Sequence, residues 1–103
     1  MDRLSQLNKF LAITPNDPFL QHALALEYVK LNDDKEARIV FEQILLKDPS
    51  YVGSYYHLGK LLERQGETDQ AISVYENGML VAKELKDQHA FNELKAASDD
   101  LIY

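Results

Sequence analysis

Tyr55-Tyr56-His57-Leu58-Gly59-Lys60-Leu61-Leu62, followed by Ala71-Ile72-Ser73-Val74-Tyr75, is the stretch whose reading decides the fold. Tyr55, Leu58 and Leu62 recur at helical spacing, and Ala71 and Tyr75 repeat that spacing beyond a Gly66 stop. A shift of 34 residues lays Pro18–Tyr51 onto Val52–Leu85. Five positions then coincide outright: Leu24/Leu58, Ala37/Ala71, Val40/Val74, Glu42/Glu76 and Leu46/Leu80. Others match in kind, among them Phe41/Tyr75 and Lys30/Arg64. A period of this length points to stacked helical hairpins rather than a closed globule around a catalytic cavity.

Working outward, each helix start and stop has a chemical reason. Asp17 before Pro18 offers a carboxylate to free N–H groups and then a residue with φ already set. Asn32 tolerates the left-handed conformation that ends a helix, and Asp33 with Glu36 stands at capping-box spacing. The second helix of this hairpin is expected from about Lys35 to Lys47, ended by Asp48-Pro49. The next runs from about Val52 to Gln65. Thr68 is the expected cap of the helix carrying Ala71, Ile72, Val74, Tyr75 and Leu80. A leading helix, Asp2 to Ile13, aligns by the same shift with Lys35–Lys47 and reads as the second half of a repeat. A trailing helix, Asp87 to Leu101, carries Phe91, Leu94 and Leu101 among polar residues, as the end of a stack requires. The expected organisation is one all-α domain: residues 1–15 a half-repeat helix, 18–51 repeat one, 52–85 repeat two and 86–103 a capping helix.

Tyr55-x-x-Leu58-Gly59-x-x-Leu62 with Ala71-x-x-x-Tyr75 resembles the tetratricopeptide repeat. The first copy reads Gln21-x-x-Leu24-Ala25-x-x-Tyr28, Ala37-x-x-x-Phe41, Pro49. Gln21 replaces an aromatic residue, and Lys83 replaces the terminal proline of copy two, so the helix there is free to run past Leu85. Gly78 occupies a position where a small residue is usual, although glycine weakens a helix by about 1 kcal/mol relative to alanine. The resemblance implies a right-handed stack of about six antiparallel helices. It also implies a concave groove, lined by the first helix of each repeat, that holds a peptide or protein segment.

Carried over residue by residue, the groove positions are Phe19, His22, Leu26, Val29 and Lys30 in copy one, and Gly53, Tyr56, Lys60, Glu63 and Arg64 in copy two. Ala90 and Leu94 would continue the line on the last helix. Chaperone-binding members of the family grip a C-terminal carboxylate with paired Lys and Asn side chains. This sequence has His22 and Leu26 at that turn and no groove asparagine, so that clamp is missing.

The residues themselves add a second point. Phe19, His22, Leu26 and Val29 share one helix face, opposite Leu20, Leu24 and Tyr28. The leading helix of repeat one is therefore apolar on two sides, where a surface helix needs one. Three covers are open: the chain itself, a second copy in a two-fold dimer, or a client segment. The readings that follow are a protein-interaction module and, as the alternative, a homodimer building block.

Composition narrows the other classes. A formal net charge of −6, with scattered acids, opposes binding to a phosphate backbone, so no nucleic acid is expected. Cysteine is absent, and His22, His57 and His89 share no metal-ligand spacing, so neither metal nor cofactor is expected. No phosphate-binding loop or nucleophile elbow is visible, and no enzyme is expected. No secretory signal and no apolar run of membrane-spanning length is present; a cytoplasmic protein is the expectation.

Overall fold

The computed structural model describes residues 2–103, and its regular structure is entirely α-helical. The helices are α1 (Arg3–Ile13), α2 (Pro18–Lys30), α3 (Asp34–Lys47), α4 (Gly53–Arg64), α5 (Thr68–Glu84) and α6 (Gln88–Ile102). The chain forms two compact units, one ending at Asp48 and one beginning at Pro49.

In the first unit α2 packs against α1 on one side and α3 on the other. Each helix opens on an aspartate. The Asp2 carboxylate accepts from the Ser5 N–H at 2.7 Å, Asp17 from Phe19 at 2.9 Å and Leu20 at 3.4 Å, and Asp33 from Glu36 at 3.3 Å. These bonds satisfy donors that a helix start leaves without partners. Leu7, Leu24, Ala25, Ala37, Phe41 and Ile44 form the buried set. Lys47 Nζ donates to Asn16 Oδ1 at 3.3 Å and so ties the end of α3 to the α1–α2 connection.

In the second unit α4, α5 and α6 each touch the other two. Two glycines set how close they come. A Cβ on Gly59 would stand 2.1 Å from Tyr75 Cε1, so this turn of α4 receives the α5 ring face-on only without a side chain. A Cβ on Gly78 would meet Tyr55 Cβ at 2.7 Å and Leu94 Cδ1 at 2.9 Å. The helix-weakening glycine of α5 is thus the point where α4 and α6 both approach. Tyr55 closes the unit at its start by donating its hydroxyl to the Pro49 carbonyl at 2.6 Å.

Three connections share one geometry. Asn32 (φ 62°), Gly66 (φ 78°) and Lys86 (φ 58°) are each left-handed. The following N–H reaches back to a carbonyl one turn further in: Asp33 to Tyr28 at 2.8 Å, Glu67 to Leu62 at 2.9 Å and Asp87 to Ala82 at 2.9 Å. This is the double closure of a helix C-terminus around a left-handed residue. Two sequence expectations are corrected by these connections. The α5 helix does not run past Leu85: Lys86 takes the left-handed turn that stops it, in place of the absent proline. Thr68 does not cap α5; it is the first helical residue, Glu67 holds the cap position, and no side chain there accepts a backbone N–H.

Candidate functional site

The expected binding residues lie on the two leading helices, α2 in the first unit and α4 in the second. On α2 the face of Leu24 and Ala25 is buried in the core. Of the second apolar side, Phe19 is 69% exposed. His22, Leu26 and Val29 are half-buried, and Lys30 is exposed at the end of the helix. The His22 ring meets the buried Phe41 ring edge-on, with centroids 5.7 Å apart and planes at 63°. The chain thus covers part of this side itself, through Phe41, and leaves Phe19 open.

On α4, Tyr56, Lys60 and Glu63 are half-buried and Arg64 is exposed. Their side chains form a connected set. The buried Tyr75 ring sends its hydroxyl out of the core to donate to Glu63 Oε2. The same oxygen takes Lys60 Nζ at 3.5 Å. Lys60 Nζ also lies 5.6 Å from the Tyr56 ring centroid, within reach of the ring's negative face. The Tyr56 and Tyr75 centroids are 6.4 Å apart. Burial first, then the Glu63 carboxylate, push the Tyr75 phenol well above the ordinary tyrosine pKa, so it stays a donor. Beside this set His57 is half-buried, its ring roughly perpendicular to that of Tyr56 with centroids 5.5 Å apart. Burial holds its pKa below the usual histidine value, against the opposing pull of Glu93.

Tyr75 belongs to this set, yet its sequence position speaks only of filling a gap beside a glycine. The usable signal is a paired change between the copies. Under the 34-residue shift, Phe41 becomes Tyr75 where Val29 becomes Glu63. A hydroxyl and its acceptor enter together.

The expected continuation along α6 is corrected. Leu94 is 1% exposed and packs beside Gly78 in the core. The cause is the register. α5 is 17 residues long against 14 for α3, and the connection after it is tighter. A shift of 36, not 34, aligns α4 with α6, placing Phe91 on Tyr55, Leu94 on Leu58 and Ser98 on Leu62. Those α4 residues are buried, as are Leu94 and Ser98. In that register Asn92, Ala96 and Asp99 correspond to Tyr56, Lys60 and Glu63, and Lys95 stands exposed where Gly59 receives a ring.

A feature outside the expected residues is a cleft of about 380 Å³ along α5 and α6, lined by Ala82, Lys83, Lys86, Asp87, Gln88 and Phe91. Its neighbour, about 320 Å³, shares Lys83 and Phe91 and adds Met79 and the exposed Leu80. Among the described residues no cluster of His, Cys, Asp or Glu is arranged to hold a metal ion, and no helix is long and apolar enough to cross a membrane.

Comparison with known proteins places this geometry in context. Residues 20–51 and 40–73 each match a family model described as tetratricopeptide repeat. A tetratricopeptide repeat domain protein from Salinibacter ruber, solved in solution, is 45% identical over 84% of this chain and 88% of its own, with a TM-score of 0.82. A crystal structure of a tetratricopeptide repeat domain protein from the same organism, also 45% identical, covers 82% of this chain and 96% of that one at a TM-score of 0.80. A protein from Bordetella parapertussis, 25% identical, covers 99% and 89% at a TM-score of 0.86. A search of curated proteins found no match.

Proposed function

The chain belongs to the tetratricopeptide-repeat family, and from that premise we propose that it is a non-enzymatic module that binds a segment of a partner protein along the leading helices of its repeats. Helical repeats of this kind present extended surfaces to other proteins rather than enclosing a reaction. The observation that carries the reading is the second apolar side of α2. Phe19 stands 69% exposed at its start, and His22, Leu26 and Val29 continue the line half-buried. Exposed apolar surface at helical spacing is what a partner segment covers. Lys30 and Arg64 at the helix ends, with Tyr56, Lys60 and Glu63, supply the polar contacts.

Phe19 also favours a second reading, because an exposed aromatic residue serves equally as the centre of a two-fold interface between copies. The same unit exposes Phe10 at 52% and Ile13 at 80%. Mass in solution across a wide concentration range separates the two. A dimer that dissociates on dilution, and is abolished by Phe19→Asp, supports the homodimer. A monomer throughout, which binds peptides selected from a displayed library and loses them on Phe19→Asp or Leu26→Asp with helical content intact, supports the module. A monomer from which no peptide can be selected overturns both.

A further inference from the structure

The four-residue set on α4 and α5 carries a further inference, which rests on the binding reading above. Glu63 has two carboxylate oxygens, and Tyr75 and Lys60 use the same one. Tyr75 Oη and Lys60 Nζ converge on Oε2. Neither of these two contacts is made at Oε1. The side chain is 26% exposed, so this oxygen belongs to a carboxylate held at the surface rather than one sealed in the core. The hold is firm because its source is a buried ring with 0% exposure, seated against Gly59. A carboxylate fixed in this way has already lost the torsional freedom that a surface glutamate gives up on binding.

The charge around it selects the donor. Lys60 balances Glu63, and Arg64 follows on the same helix turn. A cationic side chain therefore meets no local excess of negative charge. A neutral N–H meets an ionised acceptor, and hydrogen bonds to a charged group are the stronger kind. A peptide segment lying along a helix surface offers main-chain N–H groups with no partner of their own, and each needs one once buried. We propose that Glu63 is the polar anchor of the second repeat, accepting a main-chain N–H of the bound segment at Oε1, and that Tyr75 is the positioning residue that holds it there.

The test uses the full chain and peptides selected on it from a displayed random library. Glu63→Gln is the informative variant. Its amide oxygen still accepts from Tyr75, while its NH₂ replaces Oε1 and turns an acceptor into a donor. Binding of the selected peptides is expected to fall about 10-fold, with the thermal midpoint unchanged. Each peptide is then resynthesised with single amide-to-ester replacements, which remove one N–H at a time. One position is expected to cost about 10-fold on the unmodified chain and less than about 2-fold on Glu63→Gln. Tyr75→Phe is expected to weaken binding several-fold, and adding it to Glu63→Gln to cost nothing more. A purely structural Tyr75 would instead subtract the same amount in both backgrounds. Peptides that bind Glu63→Gln as well as the unmodified chain, or an ester profile indifferent to that change, overturn the anchor and leave the binding module standing. Failure to select any peptide overturns the module, and the anchor with it.

Discussion

Gly59→Ala sets two general effects against each other. Helix propensity favours alanine by about 1 kcal/mol, so an exposed mid-helix glycine is normally improved by the change. The structure reverses the sign. The new methyl carbon would stand 2.1 Å from Tyr75 Cε1 and 2.6 Å from Cδ1 and Cζ, where ordinary contact begins near 3.4 Å. The ring cannot swing away, because it is 0% exposed and its hydroxyl is bonded to Glu63. α4 and α5 must therefore separate by about an ångström, or the ring must leave its rotamer. Overpacking of this kind costs about 1–3 kcal/mol, and a backbone shift belongs to the upper part of that range. After the propensity gain, a net loss of about 1–2 kcal/mol remains. For a domain of this size that lowers the thermal midpoint by about 5–15 °C. Thermal and urea melts followed by circular dichroism measure it. Tyr75→Leu in the same chain removes the obstructing ring, so the double variant should lose about 1 kcal/mol less than the two singles together. A Gly59→Ala protein that melts at or above the parent temperature refutes the packing argument, and strict additivity with Tyr75→Leu refutes its assignment to the ring.

Helix capping and alkaline titration give two further expectations. Asp17→Ala should cost about 1 kcal/mol in urea melts, because Asp17 accepts from two N–H groups of α2. Thr68→Ala should stay within about 0.5 kcal/mol, since Thr68 is inside α5 and caps nothing. The Tyr75 phenol is held protonated in the folded state above its ordinary pKa of about 10. Above that pH the unfolded chain releases the proton and the folded chain keeps it. The stabilisation is therefore complete below pH 10 and is lost as pH rises further, by up to about 1.4 kcal/mol per pH unit from this group. Tyr75→Phe should flatten that alkaline decline; urea midpoints from pH 8 to 11 that fall equally in both proteins would rule the effect out.

The all-helical hairpin fold could be read from the chain because its signals are local and repeated. Asp17-Pro18, Asp33 with Glu36, and Asp48-Pro49 each mark a helix end by side-chain chemistry acting within a few residues. Lys86 was not legible in this way. Lysine has no special liking for the left-handed conformation, and the turn forms because α6 must pack back onto α5 at Gly78. That single tertiary demand also moved the register of α6 and put Leu94 in the core. The candidate residues divide along the same line. The exposure of Phe19 follows from the period of α2, which sequence carries. The bond between Tyr75 and Glu63 joins residues twelve apart on different helices, and only the packing of α4 on α5 brings them together.

The two repeats use one scaffold with different chemistry at four matched positions. His22, Leu26, Val29 and Phe41 in the first become Tyr56, Lys60, Glu63 and Tyr75 in the second. These changes are not independent. A buried ring that gains a hydroxyl must find an acceptor, or it loses about 1–3 kcal/mol. Glu63 is that acceptor, and its charge in turn is balanced by Lys60, whose ammonium lies against Tyr56. The first repeat needs none of this, because Phe41 meets His22 through its ring and carries no hydroxyl. The polar set on the second repeat is therefore organised from inside the core, by a tyrosine that the shared repeat pattern requires only to be aromatic. A partner on α2 would meet an apolar surface, and one on α4 an oriented, charge-balanced acceptor. Two short repeats offer few side chains to a ligand, and this division makes those few chemically distinct.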